Sequence, residues 1–449
     1  MPGWLSKPAT FRNWPVIKKS SCGTTSEGPG GSPPHKSPHV ELKLQFFLGN
    51  GQIATLFMSV GEPSGDLHAS RLIQRMSAKG VRFRGFGGAR MAEAGCELDY
   101  ILTDLAVVGF VEVVPKLREF FRVADRASKI FASQRPDAVL LVDFPGFNWH
   151  IAKRAKNAGI PVYYYLPPQL WAWGAWRVKK MRRFVDHILC NLPFEKQWFA
   201  DRGLQAEYVG HPFFDDLSSE KLDSEFLTQH QNVGDSRWKK TVAVLPGSRT
   251  REVENIWPMQ LEIIRQLSQK HADTKFMVAC LREEHRSRCQ DLLSEQDRSL
   301  PIEFCVGKTS EVIELADCAL MKSGSVSLEM MARGTPAVVL YHVSRTLYTI
   351  AKHLTNLTSI TLPNLIAEQT IMPEFLAVGS SRQKAIDSCT KAMERLLSDP
   401  SEHAKQKHAL SELTQQYGQP GATARAAEYV LRSLGADSTN TAEVSSEAA

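Results

Sequence analysis

The sequence lacks the features that mark several classes of protein. Its apolar stretches, such as Ala138–Val142, are far shorter than the roughly 18 residues of a membrane-spanning helix, so no such helix is expected. The eight cysteines include no Cys-x-x-Cys pair and no zinc-ligand spacing with histidine, which favours reduced thiols and no metal site. The excess of 54 Lys and Arg over 48 Asp and Glu is only +6, which does not predict a nucleic-acid partner.

What the sequence does contain is typical of a globular protein. Hydrophobic residues make up 43% and charged residues 23% of the 449 residues. At roughly 150 residues per domain, this length predicts two or three domains that each bury a core. Residues 1–52 are predicted to be a disordered extension, because Gly, Ser, Pro and Thr dominate 22–39, and residues 436–449 a disordered tail. A transit peptide or a misplaced start codon would also explain the extension.

Between these ends, short apolar runs alternate with helical segments, which predicts β-α-β units and parallel sheets. Strands are expected at 53–60, 138–142 and 160–165, and, after a polar stretch, at 241–245, 275–279, 302–305, 318–321 and 337–341. The fold class is therefore α/β, with two doubly wound, Rossmann-like domains that face a cleft. We place these domains at 53–235 and 236–400, followed by a helical segment at 401–435.

Two turns in the second half have the pattern of a nucleotide site. Gly247, Ser248 and Arg249 link a strand to a helix, where free backbone N–H groups, the helix dipole and an arginine together favour a phosphate. Ser323 and Gly324 begin a second such turn. Glu329 lies about one helical turn further, where its carboxylate can accept both hydroxyls of a ribose or be an ordinary first-turn acid.

The first half concentrates acids at strand ends. Glu62, Asp66 and His68 lie on one strand-to-helix turn; capping explains Asp66 but not Glu62 and His68 together. Asp143 follows another strand, where it is either a catalytic base or a helix cap. The segment from Gly85 resembles part of a dinucleotide fingerprint, but Arg90 replaces its last glycine, which argues against a dehydrogenase.

The sequence contains six short motifs that occur together in one known family. They are Gly61-Glu-x-Ser-Gly-Asp66, Trp171-Ala-Trp173, Pro193-Phe-Glu195, Gly210-His-Pro212, Pro246-Gly-Ser-Arg-x-x-Glu-Val253 and Leu362-Pro-Asn-Leu365. In this order, across about 53–435, the chain resembles the lipid-A-disaccharide synthases. It departs from their pattern at Ala69, Pro167 and Lys322, where glycine, serine and a small residue are usual.

The resemblance implies a GT-B fold with an N-terminal acceptor-side domain and a C-terminal UDP-sugar-binding domain. It implies an inverting transferase, without metal or other cofactor, that joins UDP-2,3-diacylglucosamine to 2,3-diacylglucosamine 1-phosphate. Arg249, with the backbone of Gly247 and Ser248, would hold the UDP phosphates. Ser323, Gly324, Glu329 and Asn364 complete the expected donor site. Asp143, or alternatively Glu62, would remove the proton of the acceptor's 6-hydroxyl, and we prefer Asp143.

Two other functions remain open at this point. A UDP-N-acetylglucosamine 2-epimerase has a similar fold and would use the same phosphate arginine and ribose glutamate without needing acyl chains. A non-catalytic nucleotide-sugar-binding protein at a membrane would bind UDP without turnover. The presence of two base candidates opposite a phosphate site favours catalysis.

Acylated substrates require contact with a bilayer, and one segment has the residues for it. Phe110, Val113, Val114, Leu117, Phe120 and Phe121 lie near three cations and are the expected membrane or acyl contacts. From about 115 their spacing predicts an amphipathic helix, which is either interfacial or docked on the core. We therefore expect peripheral association with anionic lipid on the inner face of the cytoplasmic membrane. The sequence leaves a homodimer open.

Overall fold

The computed structural model describes residues 53–106, 113–172, 174–231, 237–346, 348–349 and 359–447, with the backbone alone at 105–106, 113–117, 380 and 436–447. The predicted extension at 1–52 lies outside the described residues. None of the described helices is both long and apolar enough to cross a membrane.

The first half of the described chain forms a seven-stranded parallel sheet. Its strands are β1 Thr55–Val60, β2 Arg82–Gly87, β3 Cys96–Ile101, β4 Ala138–Val142, β5 Val162–Tyr165, β6 His187–Cys190 and β7 Ala206–Tyr208. Their spatial order is β3-β2-β1-β4-β5-β6-β7, so the direction of winding changes between β1 and β4. In open α/β sheets, ligands bind at the carboxyl ends of the strands beside such a switch point.

Helices cover both faces of this sheet. They are α1 Pro63–Ser77, α2 Ala89–Glu93, α3 Thr103–Ala106, α4 Val113–Ser133, α5 Pro145–Asn157, α6 Val178–Phe184 and α7 Pro193–Ala200. Two further helices, α8 Phe213–Ser219 and α9 Ser224–His230, follow β7, and their residues Phe214 and Phe226 pack in a core of the second sheet. Because successive strand residues point to opposite faces, the strands supply two cores. Phe57, Val139 and Leu141 belong to one core, and Leu56 and Met58 belong to the other.

The second half repeats this plan with six parallel strands in the order β10-β9-β8-β11-β12-β13. The strands are β8 Lys240–Leu245, β9 Thr274–Cys280, β10 Ile302–Val306, β11 Cys318–Met321, β12 Ala337–Val343 and β13 Glu374–Val378. The helices are α10 Thr250–Lys270, α11 Glu283–Asp291, α12 Thr309–Leu315, α13 Val326–Arg333, α14 Leu362–Ala367, α15 Arg382–Ser398 and α16 Pro400–Tyr417. The switch point of this sheet lies between β8 and β11.

Two doubly wound parallel sheets confirm the predicted α/β fold class. The strands expected at 138–142 and 318–321 coincide with β4 and β11. The chain passes from the first sheet to the second between β7 and β8, the stretch in which the sequence places the domain boundary.

The last two helices pack on different sheets. Leu410 of α16 joins a core of the second sheet. The final helix, α17 Ala422–Glu447, returns to the first sheet, where Val430 and Leu434 join its core. The backbone of α17 is helical through 436–447, where the sequence predicts a disordered tail. No glycine or proline interrupts this stretch, so nothing in it ends the helix.

Candidate active site

Two acidic side chains lie at the switch point of the first sheet. Glu62 is the N-cap of α1, just after β1, and Asp143 directly follows β4. Val60 pairs with Val142 in the parallel register, so both carboxylates leave the same edge of the sheet. Burial, reinforced by the negative charge of Glu62, raises the pKa of Asp143 to about 6. The structure thus brings the two candidate bases together.

The backbone at Asp143 has a conformation that needs support. Asp143 and Phe144 have φ values of 46° and 45°, in the left-handed region that residues other than glycine rarely adopt. The main-chain carbonyl of Asp143 accepts hydrogen bonds from the Asn148 amide and the Tyr164 hydroxyl, each at 2.8 Å. Asn148 is fully buried and accepts a hydrogen bond from the Ser59 hydroxyl at 2.7 Å. These bonds anchor the turn that carries the Asp143 carboxylate.

An aromatic cluster lies beside this turn. The ring of Phe144 covers Gly61, where a Cβ atom would come within 2.1 Å of the ring, so only glycine fits there. The ring centroids of Phe120 and Phe144 are 6.3 Å apart, and those of Phe120 and Phe147 are 5.7 Å apart. The acidic pair is therefore bordered by apolar surface.

Helix α4 contains part of the predicted membrane contact. Phe120 is partly buried against the core of the first sheet. Phe121 is 46% exposed and packs edge-on against His150, with ring centroids 5.4 Å apart. Of the other predicted contacts, Phe110 lies outside the described residues. Only the backbone is described at Val113, Val114 and Leu117. The membrane contact stays a prediction.

The other polar residues of the first turn have partners within the fold. Asp66 accepts hydrogen bonds of 2.9 to 3.3 Å from three N–H groups at the start of α2, those of Gly88, Arg90 and Met91. A carboxylate therefore fills the turn that resembles a dinucleotide fingerprint. The Nδ1 atom of His68 lies 3.9 Å from Oδ2 of Asp216, and burial lowers the pKa of His68 to about 4. His68 is therefore uncharged at neutral pH.

The turn with the phosphate-binding pattern follows β8, at the switch point of the second sheet. Arg249 is the N-cap of α10, and its side chain is 79% exposed. The N–H groups of Ser248 and Arg249 point at Oε2 of Glu252, at 3.1 and 3.4 Å. Lys322, which follows β11, donates to Oε1 of Glu252 at 2.9 Å. An acidic side chain thus lies where the sequence predicts the phosphate of a ligand.

The next turn carries two of the predicted donor contacts. Ser323 is buried, and its hydroxyl donates to the main-chain carbonyl of Ile360 at 3.0 Å. Gly324 has open space beside it, since the nearest atom to a Cβ placed there would be Nζ of Lys322 at 4.0 Å.

Glu329 lies inside α13, and burial raises the pKa of its carboxyl group. Its Oε1 atom accepts a hydrogen bond from Nε of Arg333 at 3.0 Å. Arg333 also pairs with Glu220 at 2.7 Å, which links α13 to the segment after α8. Glu329 thus has an arginine partner in the described structure, and its contact with a ribose stays a prediction.

Asn364 uses its whole side chain within the fold. Its amide nitrogen donates to the carbonyl of Met372 at 2.7 Å and to Glu374 at 2.8 Å. Its oxygen accepts from the N–H groups of Ile371 and Met372 at 2.8 and 2.9 Å. The two donors and both acceptor positions of an amide are then occupied, so Asn364 positions this loop. Its predicted contact with the donor is not tested by these bonds.

The structure assigns roles that the sequence analysis missed. Ser59, Asn148 and Tyr164 support Asp143, and Glu252 pairs with Lys322. For the pair of Glu252 and Lys322, the one sequence signal is the unusual lysine before the second turn. The hydrogen bonds of the described residues do not join the Asp143 turn to the Arg249 turn.

Within the same described ranges, no cluster of three or more His, Cys, Asp or Glu side chains could hold a metal ion.

Comparisons with known sequences agree with these motifs. Residues 56–432 match the model of a family described as lipid-A-disaccharide synthetase. The lipid-A-disaccharide synthase of Anaeromyxobacter dehalogenans (strain 2CP-1 / ATCC BAA-258) is 35% identical over 378 residues, which cover 84% of this chain and 96% of that protein. The one from Syntrophus aciditrophicus (strain SB) is 34% identical over 373 residues, or 83% and 95% of the two chains.

Comparisons with solved structures concern the fold. A UDP-GlcNAc 2-epimerase from Neisseria meningitidis, bound to UDP-GlcNAc, is similar with a TM-score of 0.55 and 15% identity over 85% of this chain and 99% of that one. The calicheamicin glycosyltransferase is similar with a TM-score of 0.51 and 15% identity over 86% and 99% of the two chains. These similarities confirm the predicted GT-B fold.

Proposed function

This chain belongs to the lipid-A-disaccharide synthetase family, and we propose that it joins two acylated glucosamine units. It is a glycosyltransferase of lipid A biosynthesis. The proposed donor is UDP-2,3-diacylglucosamine and the proposed acceptor is 2,3-diacylglucosamine 1-phosphate. The products are then UDP and the β-1,6-linked disaccharide 1-phosphate. The observation that carries the proposal is the acidic pair at the switch point of the first sheet.

The proposed reaction is a single displacement. The oxygen of the acceptor's 6-hydroxyl bonds to C1 of the donor sugar while the bond from C1 to the β-phosphate oxygen breaks. The hydroxyl proton passes to the Asp143 carboxylate. Attack on the face opposite UDP inverts the configuration at C1.

Asp143 suits the role of base better than Glu62 for an electrostatic reason. Its pKa of about 6 is close to neutral, so the carboxylate is ionised at neutral pH and is a stronger base than an ordinary aspartate. Glu62 contributes negative charge that favours proton uptake by Asp143. We assign proton transfer to Asp143 and a supporting role to Glu62.

The second sheet supplies the groups for the leaving UDP. Arg249, the N-cap of α10, extends into solvent, where its guanidinium can bind phosphate oxygens. The backbone of Gly247 and Ser248 belongs to the same turn. We propose that these groups stabilise the negative charge that develops on the β-phosphate. Glu329 and Asn364 remain the proposed contacts to the ribose and the donor.

We also propose that the enzyme works at the inner face of the cytoplasmic membrane. The exposed ring of Phe121 packs on His150, whose pKa is lowered by burial and by the positive charges of Arg154, Lys180 and Lys153. An exposed aromatic ring among cations suits the headgroup region of anionic lipid. Acylated sugars would reach the Asp143 turn from that side.

The test is a turnover assay with the purified full-length chain. We expect UDP and a disaccharide 1-phosphate, detected by mass spectrometry, when both acylated substrates are present. UDP-N-acetylglucosamine, which has no acyl chains, is the control donor and should give no disaccharide. Epimerisation of that control would favour a 2-epimerase, and UDP binding without any turnover would favour a non-catalytic binding protein.

A further inference from the structure

Lys322 lies at the end of β11, beside the phosphate-binding turn of the second sheet. Its N–H group donates to the carbonyl of Leu245 at 3.0 Å, so it lies where β11 runs beside β8 at the switch point. Its side chain is only 16% exposed, and its ammonium group lies 2.9 Å from Oε1 of Glu252 and 5.4 Å from the ring centroid of Tyr341. The lysine thus stands between the two turns proposed to receive the donor.

The partner of Lys322 occupies the anion-binding groups themselves. The second carboxylate oxygen of Glu252 accepts from the N–H groups of Ser248 and Arg249. Gly247 permits this arrangement, because a Cβ atom there would lie 2.8 Å from the same oxygen. N–H groups before and at the start of a long helix are the usual ligands of phosphate. A donor diphosphate and the Glu252 carboxylate therefore compete for one place.

The charges at this turn determine which groups a bound diphosphate needs. Glu252 brings one negative charge, and Lys322 and Arg249 bring two positive charges. A diphosphate that takes the place of the carboxylate needs the same cations, and Lys322 can serve it by a rotation of its flexible side chain. The diphosphate carries more negative charge than Glu252. With Arg249 alone, it would have less positive charge beside it than Glu252 has in the described structure.

We propose that Lys322 is a counter-ion that passes from Glu252 to the β-phosphate of the donor. Before the donor binds, the Glu252 carboxylate takes the place of the phosphate and holds Lys322 in position. When the donor binds, its diphosphate takes the N–H groups and the ammonium group, and Glu252 gives them up. This inference rests on the proposed function, since it assumes a UDP-sugar donor.

The first test compares UDP with UMP, which lacks the β-phosphate, by isothermal titration calorimetry. Lys322→Met should weaken UDP binding about ten- to a hundredfold, because a charge-assisted contact is lost, and should change UMP binding far less. Lys308→Met is the matched control. Lys308 also pairs with an acid, Asp223 at 2.6 Å, and lies 5.6 Å from the ring centroid of Phe226, but it is not part of the donor site. Its variant should bind UDP as the wild type does.

The second test removes the competitor. Glu252→Gln keeps the shape of the side chain but lacks its charge, so it should bind UDP more tightly than the wild type, by about tenfold. A purely structural pair predicts something else: both variants would lower the melting temperature and neither would change the ratio of UDP to UMP affinity.

The outcomes separate this inference from the proposed function. Equal UDP affinity in the wild type and Lys322→Met, or weaker binding by Glu252→Gln, would overturn the counter-ion exchange and leave the transferase intact. A wild-type chain that binds no UDP would overturn both. Thermal melts of all variants accompany the titrations, so a loss of fold is recognised as such.

Discussion

Asp143 at the edge of the first sheet and Glu252 at the edge of the second are both carboxylates beside a switch point, yet their surroundings differ. Burial and the charge of Glu62 raise the pKa of Asp143 to about 6. Burial acts on Glu252 too, but the hydrogen bond from Lys322 and the charges of Lys322 and Arg249 outweigh it and lower the pKa. The carboxyl group near the first switch point therefore takes up a proton more readily than an ordinary aspartate, and the one near the second switch point takes it up less readily than an ordinary glutamate.

In the proposed reaction, one architecture serves two different tasks. Parallel strands bring residues from neighbouring strand ends together at one edge, whatever those residues are. A second acid makes the first edge ready to accept a proton. A lysine and an arginine make the second edge ready to accept negative charge.

Asp143→Asn should have the largest effect on turnover. The amide keeps the size and hydrogen bonding of the carboxylate but cannot take a proton, so kcat should fall by about 10²- to 10⁴-fold. UDP affinity, measured by calorimetry, should stay near that of the wild type, because the donor groups lie on the other sheet. If Glu62→Gln is inactive and Asp143→Asn is active, the two roles are reversed.

Arg249→Ala should have the next largest effect. Loss of a charge-assisted donor to the leaving phosphate should raise the barrier by about 3 kcal/mol, which corresponds to roughly a hundredfold in kcat/KM. Arg251→Ala, two residues further along the same turn of α10, is the control and should retain most activity. Unchanged kinetics in Arg249→Ala would mean that this turn serves the fold alone.

Much of this arrangement could be predicted from the sequence, for a physical reason. Strands buried on both faces are continuous apolar runs, so β4 and β11 were predicted to the residue. The expected strands do not include five that the structure has, namely β2, β3, β6, β7 and β13. Of these, β3 carries charges that are paired across strands, such as Asp99 with Arg84 at 2.6 Å. Such a pairing is a property of the folded sheet, and the local sequence of an edge strand does not contain it.

The candidate site divides in the same way. Glu62 and Asp143 could both be placed at strand ends, because Glu62 lies two residues after one predicted strand and Asp143 directly follows another. The supports could not, because they join distant parts of the chain: Ser59 and Asn148 are 89 residues apart, and Glu252 and Lys322 are 70 residues apart. Only the register of the strands brings these pairs into contact.

Asn148→Ala tests the support of the Asp143 turn. The change removes the acceptor of the Ser59 hydroxyl and a donor that three main-chain carbonyl groups share, so it should lower the free energy of unfolding by about 1–3 kcal/mol. Turnover should fall as well, because the left-handed backbone at Asp143 loses an anchor. Tyr164→Phe removes a single hydrogen bond and should cost about 0.5–1.5 kcal/mol in the same denaturant titration. A variant as stable and active as the wild type would show that the turn needs no such support.

The pH dependence of turnover should change with Glu62. A base accepts a proton only when it is ionised, so kcat should rise with pH through about 6, the pKa of Asp143. Glu62→Gln removes one of the two causes that raise this pKa, so the acidic limb should move to lower pH. Burial is the larger cause and remains, which keeps the limb above the ordinary range of an aspartate. A limb that does not move would mean that the two carboxylates are not coupled.

The smallest expected effect concerns neighbouring rings on α4 with different surroundings. Phe121 is exposed, so Phe121→Ser should leave the melting temperature nearly unchanged and weaken binding to anionic vesicles several-fold, because less apolar surface enters the bilayer. Phe120 packs on Phe144 and Phe147, so Phe120→Ser should instead lower the melting temperature.

Both variants are measured by vesicle sedimentation at low and high salt, since the cations near His150 should make binding sensitive to ionic strength. If Phe121→Ser sediments with vesicles as strongly as the wild type at both salt concentrations, then this end of α4 does not contact lipid. The acyl chains would then have to enter at another part of the first sheet.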